Sequence, residues 1–439
     1  MVTETRQKAK VFYADIWGLR EDKYKYLFEN DVQTTKWQEL EPVAPYYFLI
    51  PKDFALQAEY EKFWKVTEIF KVWSLGVTTH RDHFVVGFIK EEIIQKLRIF
   101  TGKLPDELVA QSLNLKGTGT WKLVEARQKA KTQRLEENIH HYSYRPFDNR
   151  WVCYDSLLID RDRRNVMQNI LNRENLGLNL TRRLRDPIWR HVYSTSSITD
   201  KTILSSRDNC YFFPLYLYPD KLVGAIHELP LQDKSKPKRI PNFTPEFLQA
   251  FSSNIGIHVG AGLVPAQQEK ATARVAPTPE EIFYYIYAVL YSPTYRKRYE
   301  EFLKIDFPRV PLPSNYDVFR ELSDFGKELV DLHLLRHSDL EKTEVGFPKS
   351  GSNKVEKVGY AEESQRVLIN KEQSFEGISN EVWEYRIGAY QVMDKYLKDR
   401  KGRKLSLDEI NHYMKVAKAI QLTIGLQEKT DDIYRKTEN

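Results

Sequence analysis

The most restrictive feature of the sequence is a turn between two apolar segments at residues 142–154. Tyr142 and Tyr144 occupy alternate positions before the turn, and a second apolar run follows it. Pro146 and the Asp148-Asn149 pair supply turn chemistry, because proline fixes one backbone angle and the two polar side chains bond to nearby backbone. Alternation with a period of two is typical of strands, so the segment predicts a β-hairpin with an arginine at each end of its turn.

Helix-start signals dominate the second half of the chain. Thr278-Pro279-Glu280-Glu281 is a capping box with proline at the first helical position, and Ser406-Leu407-Asp408-Glu409 is another. Phe319, Leu322, Phe325 and Leu329 have the spacing of one helix face. Because short alternating segments fill residues 143–218, we predict an α+β fold in which a helical unit follows a strand-rich core.

Other local patterns predict further elements. An amphipathic helix with a basic polar face is expected at 121–139, and a charged, glycine- and proline-rich stretch at 221–278 is expected to be a surface insertion with one short helix at 245–251. The remaining expected elements are strands at 11–17, 46–50, 366–370 and 382–387, and helices at 59–70 and 389–400.

Composition limits the function classes only weakly. The formal net charge of +6 is mildly basic and weakly favours a polyanionic partner. The two cysteines, Cys153 and Cys210, are too few for a disulfide framework, which favours a reducing compartment. We find no apolar signal core at the N-terminus and no stretch of about 20 apolar residues, so a cytoplasmic protein without a membrane partner is expected.

Catalytic signatures are missing from the sequence. There is no phosphate-binding loop of the Gly-x4-Gly-Lys-Ser/Thr type and no Pro-Pro dipeptide. His80-Arg81-Asp82-His83 lacks a further group of ligands with metal-site spacing. We therefore predict no catalytic, cofactor-binding or metal-binding residues in this chain.

Arginines provide the positive evidence for function. One group comprises Arg161, Arg163 and Arg164, and a second comprises Arg182, Arg183 and Arg185. The segment 166–180 between them contains Asn169, Asn172, Asn175 and Asn179. Arginine and asparagine match the edges of guanine and adenine in the major groove of DNA. The alternative is that neighbouring aspartates pair with these arginines at the surface, where each pair is worth about 0 to 1 kcal/mol.

Four short motifs, in this order, resemble the C-terminal specificity region of single-chain type ISP restriction-modification enzymes. They are Gly76-Val77-Thr78-Thr79-His80-Arg81-Asp82, Tyr144-Arg145-Pro146-Phe147-Asp148, Phe213-Pro214-Leu215-Tyr216 and Val382-Trp383-Glu384-Tyr385-Arg386-Ile387-Gly388. In that family this region is the target-recognition domain, which binds a short asymmetric DNA sequence for an adjoining adenine methyltransferase and translocase-nuclease. The resemblance implies that the chain begins in the last part of the methyltransferase domain.

The resemblance also implies an organisation and a set of partners. Residues 1–115 would be the incomplete α/β end of the methyltransferase and a bridging segment, 116–220 the recognition core, 221–278 the insertion and 279–439 the helical C-terminal part. The partners would be double-stranded DNA and a methyltransferase, translocase and nuclease polypeptide. S-adenosylmethionine, ATP and Mg²⁺ would belong to the missing parts, and none of these cofactors is expected in this chain.

The resemblance and the arginine groups together give the expected DNA-binding residues. Phosphate contacts are assigned to the basic helix and the second arginine group, and base contacts to the loops between residues 145 and 190. The expected DNA-binding residues are Thr79, Arg81, Arg145, Arg161, Arg163, Arg164, Arg182, Arg183, Arg185 and Arg190.

Three functions remain open from the sequence. The first is sequence-specific DNA recognition as the specificity part of a restriction-modification system, without a complete catalytic site in this chain. The second is DNA adenine methyltransferase activity, alone or with a partner chain. The third is a non-functional fragment of a split restriction-modification gene.

Overall fold

The computed structural model describes residues 9–44, 46–118, 121–218, 239–257 and 275–437. The chain divides into two units, residues 1–59 and residues 60–439. Helices and small sheets both contribute to the structure, which confirms the predicted α+β class. Within the described ranges, no helix has both the length and the apolar content needed to cross a bilayer.

Among its described residues, the first unit contains one strand pair, one complete helix and the first residues of a short helix at Gln57–Tyr60. Strand β1 (Val11–Tyr13) pairs antiparallel with β2 (Gln38–Leu40), and helix α1 (Arg20–Glu29) lies between them in sequence. The strand predicted at 11–17 therefore ends early, and the strand predicted at 46–50 is not formed.

The other elements follow in chain order. The strands are β3 (Trp64–Lys65), β4 (Ser74–Leu75), β5 (Val86–Gly87), β6 (Ile139–Arg145), β7 (Asp148–Cys153), β8 (Gly177–Thr181), β9 (Val192–Thr195), β10 (Ile198–Thr199), β11 (Cys210–Pro214), β12 (Tyr216–Leu217), β13 (Ile240–Pro241), β14 (Arg309–Val310), β15 (Gly359–Ala361), β16 (Arg366–Leu368), β17 (Ser374–Glu376), β18 (Arg386–Ile387) and β19 (Tyr390–Gln391). The helices are α2 (Gln57–Tyr60), α3 (Val66–Ile69), α4 (Asp82–Val85), α5 (Lys90–Thr101), α6 (Asp106–Ser112), α7 (Leu123–Ala130), α8 (Arg164–Met167), α9 (Pro245–Asn254), α10 (Pro279–Tyr291), α11 (Pro293–Arg298), α12 (Glu300–Leu303), α13 (Tyr316–His333), α14 (Asn380–Glu384), α15 (Val392–Lys398) and α16 (Leu407–Tyr434). Short 3-10 helices lie at Leu135–Asn138, Ser338–Glu341, Glu362–Ser364 and Arg435–Thr437.

The predicted hairpin is the centre of a four-stranded sheet in the order β10-β6-β7-β5. Strands β6 and β7 pair antiparallel, with Tyr142 opposite Arg150. Phe147, in the turn, has a positive φ of 59°. Strand β10 runs parallel to β6 and places Ile198 beside Tyr142. One face of this sheet is buried against α5 and α7, where Ile93, Leu97 and Phe100 belong to the same apolar core as β6 and β7.

A second four-stranded sheet has the antiparallel order β4-β11-β8-β9. All five residues of β8 are buried. The cost of burying the central polar side chain, Asn179, is offset by hydrogen bonds. Its amide donates to the carbonyl of Tyr193 at 3.1 Å and to the Thr195 hydroxyl at 2.9 Å. Val77 joins the two sheets, since its N–H donates to Thr199 O at 2.8 Å and its carbonyl accepts from Lys201 N at 2.9 Å.

The C-terminal part is helical, as predicted. Thr278 and Ser406 form the predicted capping boxes of α10 and α16. Helix α10 packs closely against α13, where a Cβ on Gly326 would lie 1.9 Å from the carbonyl oxygen of Tyr284. Only glycine permits that approach.

Residues 239–257 lie within the predicted surface insertion but contribute to the core. Strand β13 pairs with β12, and Phe243, Phe247 and Phe251 are buried. Asn242 is fully buried, and its amide donates to the carbonyls of Val72 at 2.7 Å and Pro214 at 2.8 Å. A surface location is therefore wrong for these residues. Residues 221–238 and 258–274 of the predicted insertion lie outside the described residues.

Several predicted elements differ from the observed ones. The helix predicted at 121–139 ends at Ala130 and gives way to a turn and a 3-10 helix that starts with buried Leu135. The helix predicted at 59–70 is broken by strand β3. Residues 380–384 form helix α14 rather than a strand, because Ser379 caps it by accepting a hydrogen bond from Val382 N at 3.4 Å.

Candidate nucleic-acid interface

Buried ion pairs fix the hairpin turn. The carboxylate of Asp148 accepts from Arg150 at 2.6 Å and from Arg400 at 3.0 Å, and Arg150 also pairs with Asp399 at 2.9 Å. Burial opposes ionisation of Asp148, but the two guanidinium groups outweigh it and lower its pKa to about 2. The turn is thereby tied to helix α15 and the loop that follows it.

Arg145, at the other end of the turn, is buried. Its Nη1 pairs with Asp200 at 3.1 Å, and its guanidinium carbon lies 3.9 Å from the centre of the Tyr144 ring. The Tyr142 hydroxyl donates to the same Asp200 carboxylate at 2.6 Å. Arg145 is engaged inside the protein and holds β6 to the segment that follows β10.

The first sequence motif meets the first arginine group through backbone pairing. Thr78 N donates to Arg161 O at 3.0 Å, and Arg161 N donates to Thr78 O at 2.9 Å. Thr79 is buried and hydrogen-bonds to Asp82. Arg81 is also buried, because its Nε donates to Leu158 O at 3.0 Å and its guanidinium stacks 4.3 Å from the centre of the Trp121 ring.

The first arginine group is largely exposed to solvent. The side chains of Arg161 and Arg164 are 63% and 60% exposed, and their distances to Asp160 and Asp162 are 3.4 Å and 3.8 Å. Arg163 is half-buried and has a positive φ of 55° at the start of α8. Such long ion pairs on exposed side chains contribute at most about 1 kcal/mol each, so two cations of this group are available to a polyanion.

The second arginine group follows strand β8. Arg182 is exposed and pairs with Asp306 at 3.0 Å, and Lys65 pairs with the same carboxylate at 2.8 Å. Arg183 is exposed. The side chain of Arg185 is 74% exposed and lies 3.9 Å from Asp208. The loop is held at its base, where Leu184 N donates to Lys304 O at 3.0 Å.

Arg190 lies apart from both groups, at the end of the same loop. It is half-buried, and its carbonyl accepts from Gly388 N at 2.8 Å. Burial is the largest cause of the lowered pKa of Arg190, and the nearby Arg296 and Arg386 lower that pKa further. Arg190 therefore lies beside two other cationic side chains.

The asparagines between the two arginine groups have mainly structural roles. Asn169, Asn175 and Asn179 are buried, and their amide groups donate to protein oxygens at 2.8–3.1 Å. The sequence interpretation that added them to the DNA-binding groups is therefore wrong for these three.

The basic helix also contributes less than its sequence suggests. Arg127 is buried, donates to the carbonyls of Phe100, Gly102 and Leu104 at 2.7–3.0 Å, and pairs with Asp106. Lys122 and Arg134 are exposed but pair with Glu125 at 3.0 Å and Glu137 at 3.2 Å.

Residues 68–435 match the sequence family described as the Type ISP C-terminal specificity domain. The chain belongs to this family. No curated protein sequence matches it.

Solved structures share the fold of this Type ISP specificity domain at low sequence identity. One is a nuclease-deletion mutant of the Type ISP restriction-modification enzyme LlaGI in complex with a DNA substrate mimic, with 19% identity, a TM-score of 0.66 and alignment of 96% of this chain with 33% of that one. A DrdV–DNA complex has 21% identity, a TM-score of 0.70 and coverage of 93% and 42%. The ATP-dependent Type ISP enzyme LlaBIII bound to DNA has 16% identity, a TM-score of 0.64 and coverage of 90% and 25%. The chain thus spans a quarter to two fifths of the length of these structures.

Burial divides the ten expected site residues of the Type ISP specificity domain into three classes. Thr79, Arg81 and Arg145 are engaged inside the protein, Arg163 and Arg190 are half-buried, and the exposed members are Arg161, Arg164, Arg182, Arg183 and Arg185. Lys65 was not predicted from the sequence as part of the site. It lies near Arg182 because both side chains pair with the carboxylate of Asp306. No local pattern signals such a contact, because its partners are far apart in sequence.

Proposed function

We propose that this Type ISP specificity domain recognises a specific sequence of double-stranded DNA as the target-recognition part of a restriction-modification enzyme. The observation that carries the proposal is a set of exposed arginines on loops whose bases are fixed by backbone pairing. The DNA complexes of LlaGI, DrdV and LlaBIII, which share the fold, support it.

The exposed and the buried arginines have different tasks in this proposal. Arg161, Arg164, Arg182, Arg183 and Arg185 contact the phosphates or base edges of DNA, because all five are exposed. Arg161, Arg164 and Arg185 have only long surface ion pairs to give up. The closer partner of Arg182, Asp306, also pairs with Lys65 and so keeps a cation when Arg182 turns to DNA. Arg81 and Arg145 act indirectly, since each holds a loop through contacts inside the protein. Pre-positioned loops lower the ordering cost of binding.

Chemistry is assigned to other parts of the enzyme. The chain contains no phosphate-binding loop and no Pro-Pro dipeptide, so S-adenosylmethionine, ATP and Mg²⁺ would be bound by methyltransferase, translocase and nuclease regions. Both cysteines are buried and free, which fits a protein working in the reducing cytoplasm.

Salt-dependent binding tests the proposal. Labelled duplexes of random sequence are titrated with the purified chain at about 50 mM and about 200 mM salt, and the anisotropy is measured. We expect the affinity to fall more than about tenfold at the higher salt, because phosphate contacts release counterions. The double variant Arg183→Gln, Arg185→Gln should bind more weakly and with a shallower salt dependence.

A matched control keeps the change in net charge the same. Lys349→Gln with Lys357→Gln also removes two exposed charges, outside the arginine groups, and should leave binding unchanged. Equal weakening in both double variants would show that only net charge matters. Absence of binding at either salt would contradict the proposal and favour the non-functional fragment, and binding of S-adenosylmethionine to the chain alone would favour the methyltransferase.

A further inference from the structure

Three arginines from separate parts of the sequence, Arg190, Arg296 and Arg386, lie near one another at the end of the loop that carries the second arginine group. Arg190 is half-buried, and its carbonyl accepts from Gly388 N, which places it next to strand β18 and its Arg386. Arg296, from helix α11, lies with its guanidinium carbon 5.6 Å from the centre of the Trp189 ring and 4.4 Å from that of Tyr291. Burial and the two other arginines lower the pKa of Arg190, as expected for cations held close together.

Several buried polar groups at the same place lack a hydrogen-bond partner. Trp189 is 1% exposed and His191 is fully buried. Among the described residues, Trp189 Nε1, His191 Nε2 and Arg296 Nη2 are donors without a partner, and one acceptor, Asp186 Oδ2, also has none and lies 3.6 Å from His191 Nε2. Burying a donor without an acceptor is unfavourable, so several at one place indicate that a ligand or ordered water supplies the acceptors.

The protonation of His191 favours an anion over a cation. His191 Nδ1 accepts the N–H of Arg190 at 3.3 Å, which places the proton of the neutral ring on Nε2. Burial, Arg296 and Arg190 lower the pKa of this histidine to about 3, so the ring is neutral at physiological pH.

A metal ion is a poorer fit to the same place. Asp186, His191 and Asp208 bring their ligand atoms within 4.8 Å of one another, and His191 Nε2 lies 3.6 Å from Asp186 Oδ2. A metal would need the lone pair of His191 Nε2, which carries the proton here. The surrounding guanidinium groups also repel a cation.

We infer that Arg190, Arg296 and Arg386 form a binding site for a phosphate group. Guanidinium groups match phosphate oxygens with paired, charge-assisted hydrogen bonds. Asp186 interacts with Arg190 and partly offsets its charge. Arg386 is exposed, so the site opens to solvent at that side.

The phosphate is assigned to the DNA backbone, and this assignment rests on the proposed function. Arg190 ends the loop that carries Arg182, Arg183 and Arg185, so a duplex bound by those side chains would pass this site. The contact would set the position of the loop on DNA without selecting a base. A free phosphate or a nucleotide is the other possible source of the same chemistry.

The test uses the full chain and two probes, inorganic phosphate by calorimetry and random duplex DNA by anisotropy. Arg386→Gln is the main variant because its exposed side chain can be changed without disturbing the core, and Arg190→Gln is the second. We expect each to weaken duplex binding about tenfold for all sequences and to reduce the salt slope by about 1. Arg98→Gln, at an exposed arginine elsewhere, is the control and should change neither measurement.

The outcomes separate this inference from the proposed function. Duplex binding that is unchanged in both variants would overturn the inference while leaving DNA recognition intact. Phosphate binding that depends on Arg386, in a chain that does not bind DNA, would keep the anion site, overturn its assignment to the DNA backbone and contradict the proposed function. Loss of both phosphate and duplex affinity in the variants, but not in the control, is the predicted result.

Discussion

At the scale of single residues, the surroundings of an arginine decide whether it can act on a ligand. Arg145 is the last residue of strand β6, and Arg182 directly follows strand β8. Each pairs with an aspartate, yet Arg145 is buried and Arg182 is exposed. The sequence shows the arginine but not its burial, because Asp200 and Asp306 lie far along the chain. The candidate site could therefore be predicted as two basic groups, and its division into buried and exposed members could not.

Removing the buried carboxylate of Asp148 should destabilise the protein strongly. Asp148→Asn leaves the guanidinium groups of Arg150 and Arg400 without their shared anion, which costs about 3 to 5 kcal/mol of unfolding free energy. Asp162→Asn, which breaks one long surface pair, should cost less than about 1 kcal/mol. Urea unfolding measures both, and similar losses in the two variants would contradict the buried network.

The same carboxylate predicts how stability depends on pH. Its pKa is about 2 in the folded protein and about 4 in an unfolded chain. A lowered pKa contributes stability above the unfolded value, and that contribution is lost as the pH falls from about 4 towards 2. Urea midpoints across this range should therefore fall more steeply for the wild type than for Asp148→Asn, and parallel curves would show that Asp148 is not held ionised.

At the scale of elements, local signals were reliable where the chain itself supplies the partners. The hairpin and both capping boxes were predicted correctly because their donors and acceptors lie within a few residues. The helix at 121–139 was predicted too long, since the buried contacts of Arg127 and the burial of Leu135 come from distant segments. The cap at Ser379 was a local signal for helix α14 that the strand prediction overlooked.

Gly388, in the last sequence motif, directly follows strand β18 and donates its N–H to Arg190 O, in the loop that carries the second arginine group. Its φ is 61°, and a Cβ there would lie 2.0 Å from Leu204 O, so Gly388→Ala should cost at least about 3 kcal/mol from strain and overlap. Gly402 has a φ of 84° with no described atom within 4 Å of such a Cβ, so Gly402→Ala should cost only about 1 to 2 kcal/mol. Thermal or urea unfolding compares them, and equal losses would show that the close contact does not matter.

At the scale of the whole molecule, the sheet order was beyond the sequence. Strand β10 pairs parallel with β6, and β11 lies between β4 and β8, so neighbours in space are distant in sequence. The family, by contrast, was identified from four short motifs. All four meet distant segments directly: Thr78 at Arg161, Asp148 at Arg400, Pro214 at Asn242 and Gly388 at Arg190. Short motifs thus marked the junctions of the fold, although pattern alone could not show what they join.

The central claim is that this Type ISP specificity domain binds one DNA sequence in preference to others. The most direct measurement is selection from a pool of randomised duplexes by the purified chain at about 50 mM and about 200 mM salt, followed by sequencing of the bound fraction. We predict that one short asymmetric motif is enriched, more strongly at the higher salt, because base contacts then make a larger share of the affinity. A bound fraction with no enriched motif at either salt would contradict the claim.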